Sequence, residues 1–171
     1  MFYQPDKTPH NLPFDPFKAC VIPRPIGWIS TTSPLPQPNP STPSQPKPTH
    51  NLAPYSQFAP LTFDPPYILF SANQNHHTTP PSHKDTVHNI ETTGRSAWNL
   101  ATYPLRHAVN ITAQHFPAGE DEFVHAGLAK EYTTLLPGDE TNPVPMVKAS
   151  PVKFELITRG RHRSGTCGLL L

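Results

Sequence analysis

At 171 residues the chain suits one domain, a length at which folding buries roughly two thirds of the surface. Hydrophobic residues make up 35% and charged residues 15%; the 25 prolines, against roughly 5% in average usage, argue against a helical bundle because proline lacks an N–H and fixes φ. A net charge of +1 draws in neither nucleic acid nor a membrane surface, and no apolar stretch reaches the ~20 residues of a span.

Residues 1–16 carry four prolines and little periodicity and read as an N-terminal arm. They lack a basic segment followed by an apolar run, so no secretory signal is expected. Phe17 to Ser30 reads FKACVIPRPIGWIS. Ala19 to Ile22 predicts a strand, Pro23-Arg24-Pro25 a kink, and Ile26 to Ser30 a second strand piece, since proline is confined to strand edges and bulges. Cys20 is expected to be a small buried strand residue. Cys20 and Cys167 stand near opposite ends of the chain; two thiols make no disulfide framework, which points to a reduced, cytoplasmic setting.

Thr31 to His50 holds seven prolines and one hydrophobic residue, Leu35. It cannot bury enough apolar area to offset its ordering entropy and predicts an extended loop insertion over 31–50. Docking of SH3 or WW modules there is the alternative to a bland insertion. Leu52 to Phe58 predicts a strand with tight turns, and Tyr67 to Ser71 a short strand after Pro65-Pro66. Asp85 to Thr93 predicts a helix capped by Asp85, with Val87 and Ile90 on one face and Gly94 past its end. Ser96 to Thr102 and Val152 to Thr158 predict strands, and Leu105 to Gln114 and Glu122 to Lys130 helices. The fold class is mainly β (α+β), built around a small antiparallel barrel.

Several chemistries lack their motifs. There is no G-x-G-x-x-G, no P-loop, no G-x-S-x-G elbow and no C-x-x-C. His76, His77, His83 and His88 fall close together, but in a polar loop running into a helix and without the i, i+4 pairing of a metal site, so they read as solvated. The Arg159, Arg161 and Arg163 tail reads likewise. Lys84-Asp85-Thr86 offers a cation and a hydroxyl at a helix start, an anion site by geometry, although the Asp85 carboxylate opposes it unless turned inward as a cap. Plain capping explains the same residues. Asn51 to Ser56, NLAPYS, places small residues beside an aromatic and two hydroxyl-bearing residues, which suits a flat ligand or an ordinary turn.

Together these segments resemble the flavin-reductase-like, FMN-binding split-barrel family, near its flavoredoxin branch. The matching residues are Pro23 to Ser30 (PRPIGWIS), Asn51 to Phe58 (NLAPYSQF), Pro65 to Ser71 (PPYILFS), Lys84-Asp85-Thr86, Asn89-Ile90 and Thr93-Gly94. Weaker echoes follow in Glu122-Phe123, Ala126-Gly127-Leu128 and Ser150-Pro151-Val152. The resemblance implies a six-stranded antiparallel Greek-key split barrel over 17–171 with short flanking helices, and a homodimer. It also implies FMN as cofactor, with NAD(P)H as co-substrate delivering hydride to flavin N5. Asn51, Ala53, Pro54, Tyr55 and Ser56 would line the isoalloxazine and ribityl chain, Ser71 would contact the cofactor from the next strand, and Lys84, Asp85 and Thr86 would form the phosphate site. Arg24 would be a further source of charge near the flavin. No catalytic side chain and no metal is implied. A non-catalytic FMN carrier or a truncated relative with a partner-docking loop are the alternatives. Because the tail RGRHRSGTCGLLL replaces further expected strands, a barrel incomplete at its C-terminus, with an open edge, is expected.

Overall fold

A computed structural model of the chain describes residues 7, 11–14, 16–35, 47–73, 83–164 and 166–170. The fold is mainly β with a few short helices. Its centre is β1 (Gly27–Thr32), flanked by β2 (His50–Tyr55) and β5 (Arg95–Asn99), with β8 (Lys153–Ile157) beyond β5. All of these neighbours pair antiparallel. Every residue of β1 is buried. Successive strand residues face opposite ways, so Ile29 joins Tyr55, Phe70, Val87 and Ile90 in one core, while Trp28 joins Leu52, Val109, Phe123 and Val147 in another. Full burial of one such side chain contributes about 1.5–3 kcal/mol.

A second sheet runs in the order β3 (Phe58–Phe63), β4 (Pro66–Ala72), β10 (Thr166–Leu170), β9 (Gly160–Ser164). Only Ser56 and Gln57 separate β2 from β3, and the Ser71 N–H donates to Gln57 O (2.9 Å), fastening the corner between the sheets. A small ladder joins β6 (Lys130–Tyr132) to β7 (Pro145–Val147).

Polar side chains pin β1 from three sides. Asn99 donates to Trp28 O (3.2 Å) and Ser30 Oγ (3.1 Å) and accepts from the Val147 N–H (2.8 Å). Asn89 donates to Thr31 Oγ1 (3.0 Å), and Thr32 donates to Asn142 Oδ1 (2.9 Å). Each pairing removes the cost of burying an unmet polar group.

The helices are α1 (Pro16–Cys20), α2 (Asp85–Thr93), α3 (Arg106–Thr112), entered through a 3-10 turn at Tyr103–Leu105, and α4 (Glu122–His125). For α2 the expected bounds hold, and Gly94 closes it in the left-handed region (φ 72°), its N–H donating to Ile90 O. Its N-cap, however, is Lys84 in extended conformation, and Asp85 is its first helical residue.

Five expectations need correction. The strand expected over Ala19 to Ile22 is absent: Pro16 to Cys20 is a helical turn, proline being pre-organised for a first helical position, and Val21 and Ile22 follow it outside any strand. Val21 and Ile22 are exposed, and Cys20 is an exposed free thiol. Leu52 to Phe58 divides between two strands at Ser56-Gln57. The helix at Glu122 ends at His125 because Gly127 takes a positive φ (64°), releasing Lys130 into β6. The C-terminal tail forms the β9–β10 hairpin, and β10 pairs with β4 from Cys167 opposite Ala72 to Leu170 opposite Leu69. Among the described strands β2 and β8 are the outer ones of their sheet. Most of the arm over 1–16, the centre of the proline-rich segment, His76 and His77 lie outside the described residues.

Candidate functional site

The C-terminal half of β2, the start of α2 and the segment that follows α3 converge on a cleft of about 410 Å³, within the range of small-molecule and cofactor sites. β2 supplies Asn51, Ala53, Pro54 and Tyr55; α2 and its cap supply Lys84, Asp85 and Thr86. Seven of the ten residues expected from the sequence therefore share one cleft. Ser56 lies at the β2–β3 corner, Ser71 on β4 and Arg24 ahead of β1, all three outside its lining.

The start of α2 has the character of an anion site. Lys84 makes no side-chain capping bond, and the first-turn amides of a helix have no intrahelical acceptor. The exposed Lys84 ammonium stands 5.9 Å from the centre of the Tyr55 ring, within cation–π range. Tyr55 packs on Phe70, ring centres 4.8 Å apart, which fixes this wall to β4. Asp85, the residue that opposed an anion, accepts from the Gly119 N–H (3.1 Å) across a shared wall with a second cleft of about 280 Å³.

The rest of the lining was not among the residues expected from the sequence. It comprises Thr112 to Phe116, Ala118 and Glu122, with Asn73 at the end of β4. The loop is braced from behind: Phe116 stacks on His125 (ring centres 4.3 Å apart), and His125 Nε2 lies 2.5 Å from Glu120 Oε2. Thr112 is anchored by the Trp28 indole N–H, which donates to its Oγ1 (3.0 Å).

Glu122 enters the lining although the sequence offered it only as a weak echo of the family pattern. In sequence it reads as an acid favouring a helix start, but it is 9% exposed. Its Oε2 accepts from the Leu52 N–H (3.0 Å). Burial raises its pKa from 4.5 to about 7; the backbone amides of Glu122 and Leu52 pull the other way, and the charges of Asp85 and Asp121 push it further up. Beside it, the Asn51 amide reaches Thr86 Oγ1 at 2.7 Å. Amide orientation follows from the hydrogen-bond network. Against an ionised Glu122, Asn51 nitrogen donates to Glu122 Oε1 (3.2 Å) and Asn51 oxygen accepts from the Thr86 hydroxyl.

Next to the cleft, Lys130 bonds Asp121 Oδ2 and lies 2.8 Å from His50 Nδ1. His50 has a lowered pKa, first from burial and then from the Lys130 charge, with Asp121 opposing. Among the described residues no His, Cys, Asp and Glu group has the makings of a metal site, and no helix is long and apolar enough to cross a membrane.

Comparison with known proteins gives this geometry a context. The flavin reductase like domain family matches residues 19–171. An uncharacterised protein of Deinococcus radiodurans is 31% identical over 147 residues, 86% of this chain and 57% of that protein. The chain spans only 56% to 58% of the length of the curated relatives it matches. Nitrilotriacetate monooxygenase component B from Bacillus cereus superposes with a TM-score of 0.75 at 21% identity, over 99% of this chain and 77% of that one. Flavoredoxin of Desulfovibrio vulgaris does so at 0.61 and 17%, over 86% and 66%. At these identities the two structures speak for the fold.

Proposed function

Since the chain belongs to the flavin reductase like domain family, we propose that it binds FMN in the cleft between β2, α2 and the segment after α3, and acts as an FMN-dependent NAD(P)H oxidoreductase. The observation that carries this reading is the meeting, in one cleft, of an apolar strand wall at Ala53 to Tyr55 with the Lys84-capped start of α2.

The donor set fits that cofactor. Lys84, the Thr86 hydroxyl and the first-turn amides of α2 match a phosphate. Ala53 and Pro54 are small enough for close approach of flat rings to the strand, and Tyr55 extends the wall. Asp85, whose carboxylate accepts from the Gly119 N–H, would stand beside the phosphate with part of its charge engaged. Ser56, Ser71 and Arg24 complete the proposed set from outside the cleft lining. Bound there, FMN would supply hydride chemistry between a reduced nicotinamide and an acceptor, leaving the protein to position rings and exclude water. A six-stranded Greek-key closure of the sheets, 1–16 as an arm with 17–171 as one domain, a homodimer, and a cytoplasmic setting belong to the same reading.

Purification with added FMN, followed by an absorption spectrum, tests it. Flavin bands that persist through gel filtration, then bleach anaerobically with NADH or NADPH, are the expected result. Bands that persist without bleaching leave a non-catalytic FMN carrier. A colourless protein that takes up no FMN overturns the proposal.

A further inference from the structure

The chain Glu122–Asn51–Thr86 ends on the hydroxyl assigned above to the flavin phosphate, and its two ends cannot both be satisfied in one way. With Glu122 ionised, the Asn51 nitrogen donates to Glu122 Oε1 (3.2 Å), its oxygen accepts from Thr86, and the Thr86 hydroxyl hydrogen is spent inside the protein. With Glu122 protonated, the carboxyl O–H donates to the Asn51 oxygen. The amide is then turned over, and its nitrogen donates to Thr86 Oγ1 across the same 2.7 Å. That leaves the Thr86 hydrogen for an acceptor in the cleft. Glu122 Oε2 keeps the Leu52 N–H in either state. All three side chains are at least nine-tenths buried, so water does not readily replace a lost partner.

Resting on the FMN reading, we propose that Glu122, Asn51 and Thr86 form a proton-reading relay in which binding of a flavin phosphate draws Glu122 from its ionised to its protonated form, the proton coming from the buffer, and turns the Thr86 hydroxyl toward the phosphate. Glu122 is thus a positioning residue acting through Asn51. A carboxyl raised to about 7 changes state near neutral pH, which makes the relay usable there.

Other charges bear on the same titration. Lys84 and Asp85 face the cleft from α2, His115 from beyond α3, and His50 on β2 and Lys130 on β6 hold Asp121 beside it. On α3, which packs against α4, Arg106 and His107 are exposed. These groups and the phosphate's own ionisation are common to wild type and variants, so differences between proteins isolate the relay.

Calorimetric titration with FMN and with riboflavin, near neutral pH in phosphate-free buffers of different ionisation enthalpy, counts the protons. Wild type is expected to take up protons with FMN and markedly fewer with riboflavin, its FMN affinity falling several-fold as pH rises past neutrality. In Glu122→Gln the amide N–H donates to Asn51 permanently, so FMN still binds but the extra uptake disappears. Thr86→Val loses it and Thr86→Ser keeps it. Equal uptake by wild type and Glu122→Gln, or undiminished uptake in Thr86→Val, overturns the relay. Carboxyl-carbon NMR of wild type tests the same point without a variant: FMN raises the Glu122 midpoint and riboflavin does not, and a midpoint unmoved by FMN overturns it. If wild type binds neither flavin, the FMN reading itself falls; if it binds FMN with the wrong proton count, the relay alone does.

Discussion

Phe58 lies across Gly27, so that a Cβ on the glycine would sit 2.5 Å from Phe58 Cδ2 and 2.9 Å from Cγ. Gly27 opens β1 of one sheet and Phe58 opens β3 of the other, so this contact joins the two sheets. The ring has little room to yield: it stacks on Trp98 (6.0 Å, 3° between planes), and Trp98 stacks on Phe154 (4.9 Å). Gly27→Ala is expected to cost about 1–3 kcal/mol through overpacking. The midpoint of urea denaturation reads it. An unchanged midpoint would mean the aromatic stack gives way freely.

The second core rests on the Trp28 indole and Thr112, 84 positions apart in sequence and both buried. Thr112→Val keeps the shape but strands the indole N–H, at an expected cost of about 1–3 kcal/mol. Thr112→Ser restores the acceptor and should recover most of it. Equal losses in both variants would point to packing rather than to the hydrogen bond.

What was legible in the sequence was what depends on local chemistry. The α2 bounds follow from Lys84-Asp85 ahead of Val87 and Ile90, with Gly94 behind. β4 follows from an apolar run after a double proline. The β2 and α2 walls of the cleft were legible because NLAPYS and KDT are contiguous and resemble a family pattern. The remaining wall was not: Thr112 to Phe116 carries no motif, and its place is set by the Trp28–Thr112 bond and the Phe116–His125 stack. Glu122 resembled a helix-start acid, and its burial arises from β2 packing over α4. The same limit applies to Asn99, a polar residue in the strand SAWN whose three partners come from β1 and β7. The β9–β10 hairpin eluded periodicity because RGRHRSGTCG has no apolar alternation.

Lys84 tests the phosphate end of the cleft by itself. Its charge would bear on the phosphate of FMN and on nothing comparable in riboflavin. Lys84→Ala should weaken FMN by about tenfold, the scale of one charge-assisted hydrogen bond, and leave riboflavin affinity little changed. Fluorescence titration with the two flavins measures both. Parallel losses would remove Lys84 from that role.

Without flavin, Glu122 makes stability depend on pH with a definite sign. Its carboxyl titrates near 4.5 when exposed and near 7 in the folded protein. Between those values the folded chain holds a proton that the unfolded chain has released, so unfolding loses protons and stability falls as pH rises through the window. Below it the term is fully present; above it the folded protein carries a buried charge. Glu122→Gln removes the titration while keeping the shape and the acceptor for the Leu52 N–H. The variant should therefore gain on wild type from about pH 4 to about pH 8, approaching about 3 kcal/mol at the alkaline end. Urea midpoints of the flavin-free proteins across that range measure the gap; carboxylates remote from Glu122 cancel in the difference, while Asp85 and Asp121, whose charges act on Glu122, are part of it. A gap constant with pH would show that burial does not hold the proton on Glu122.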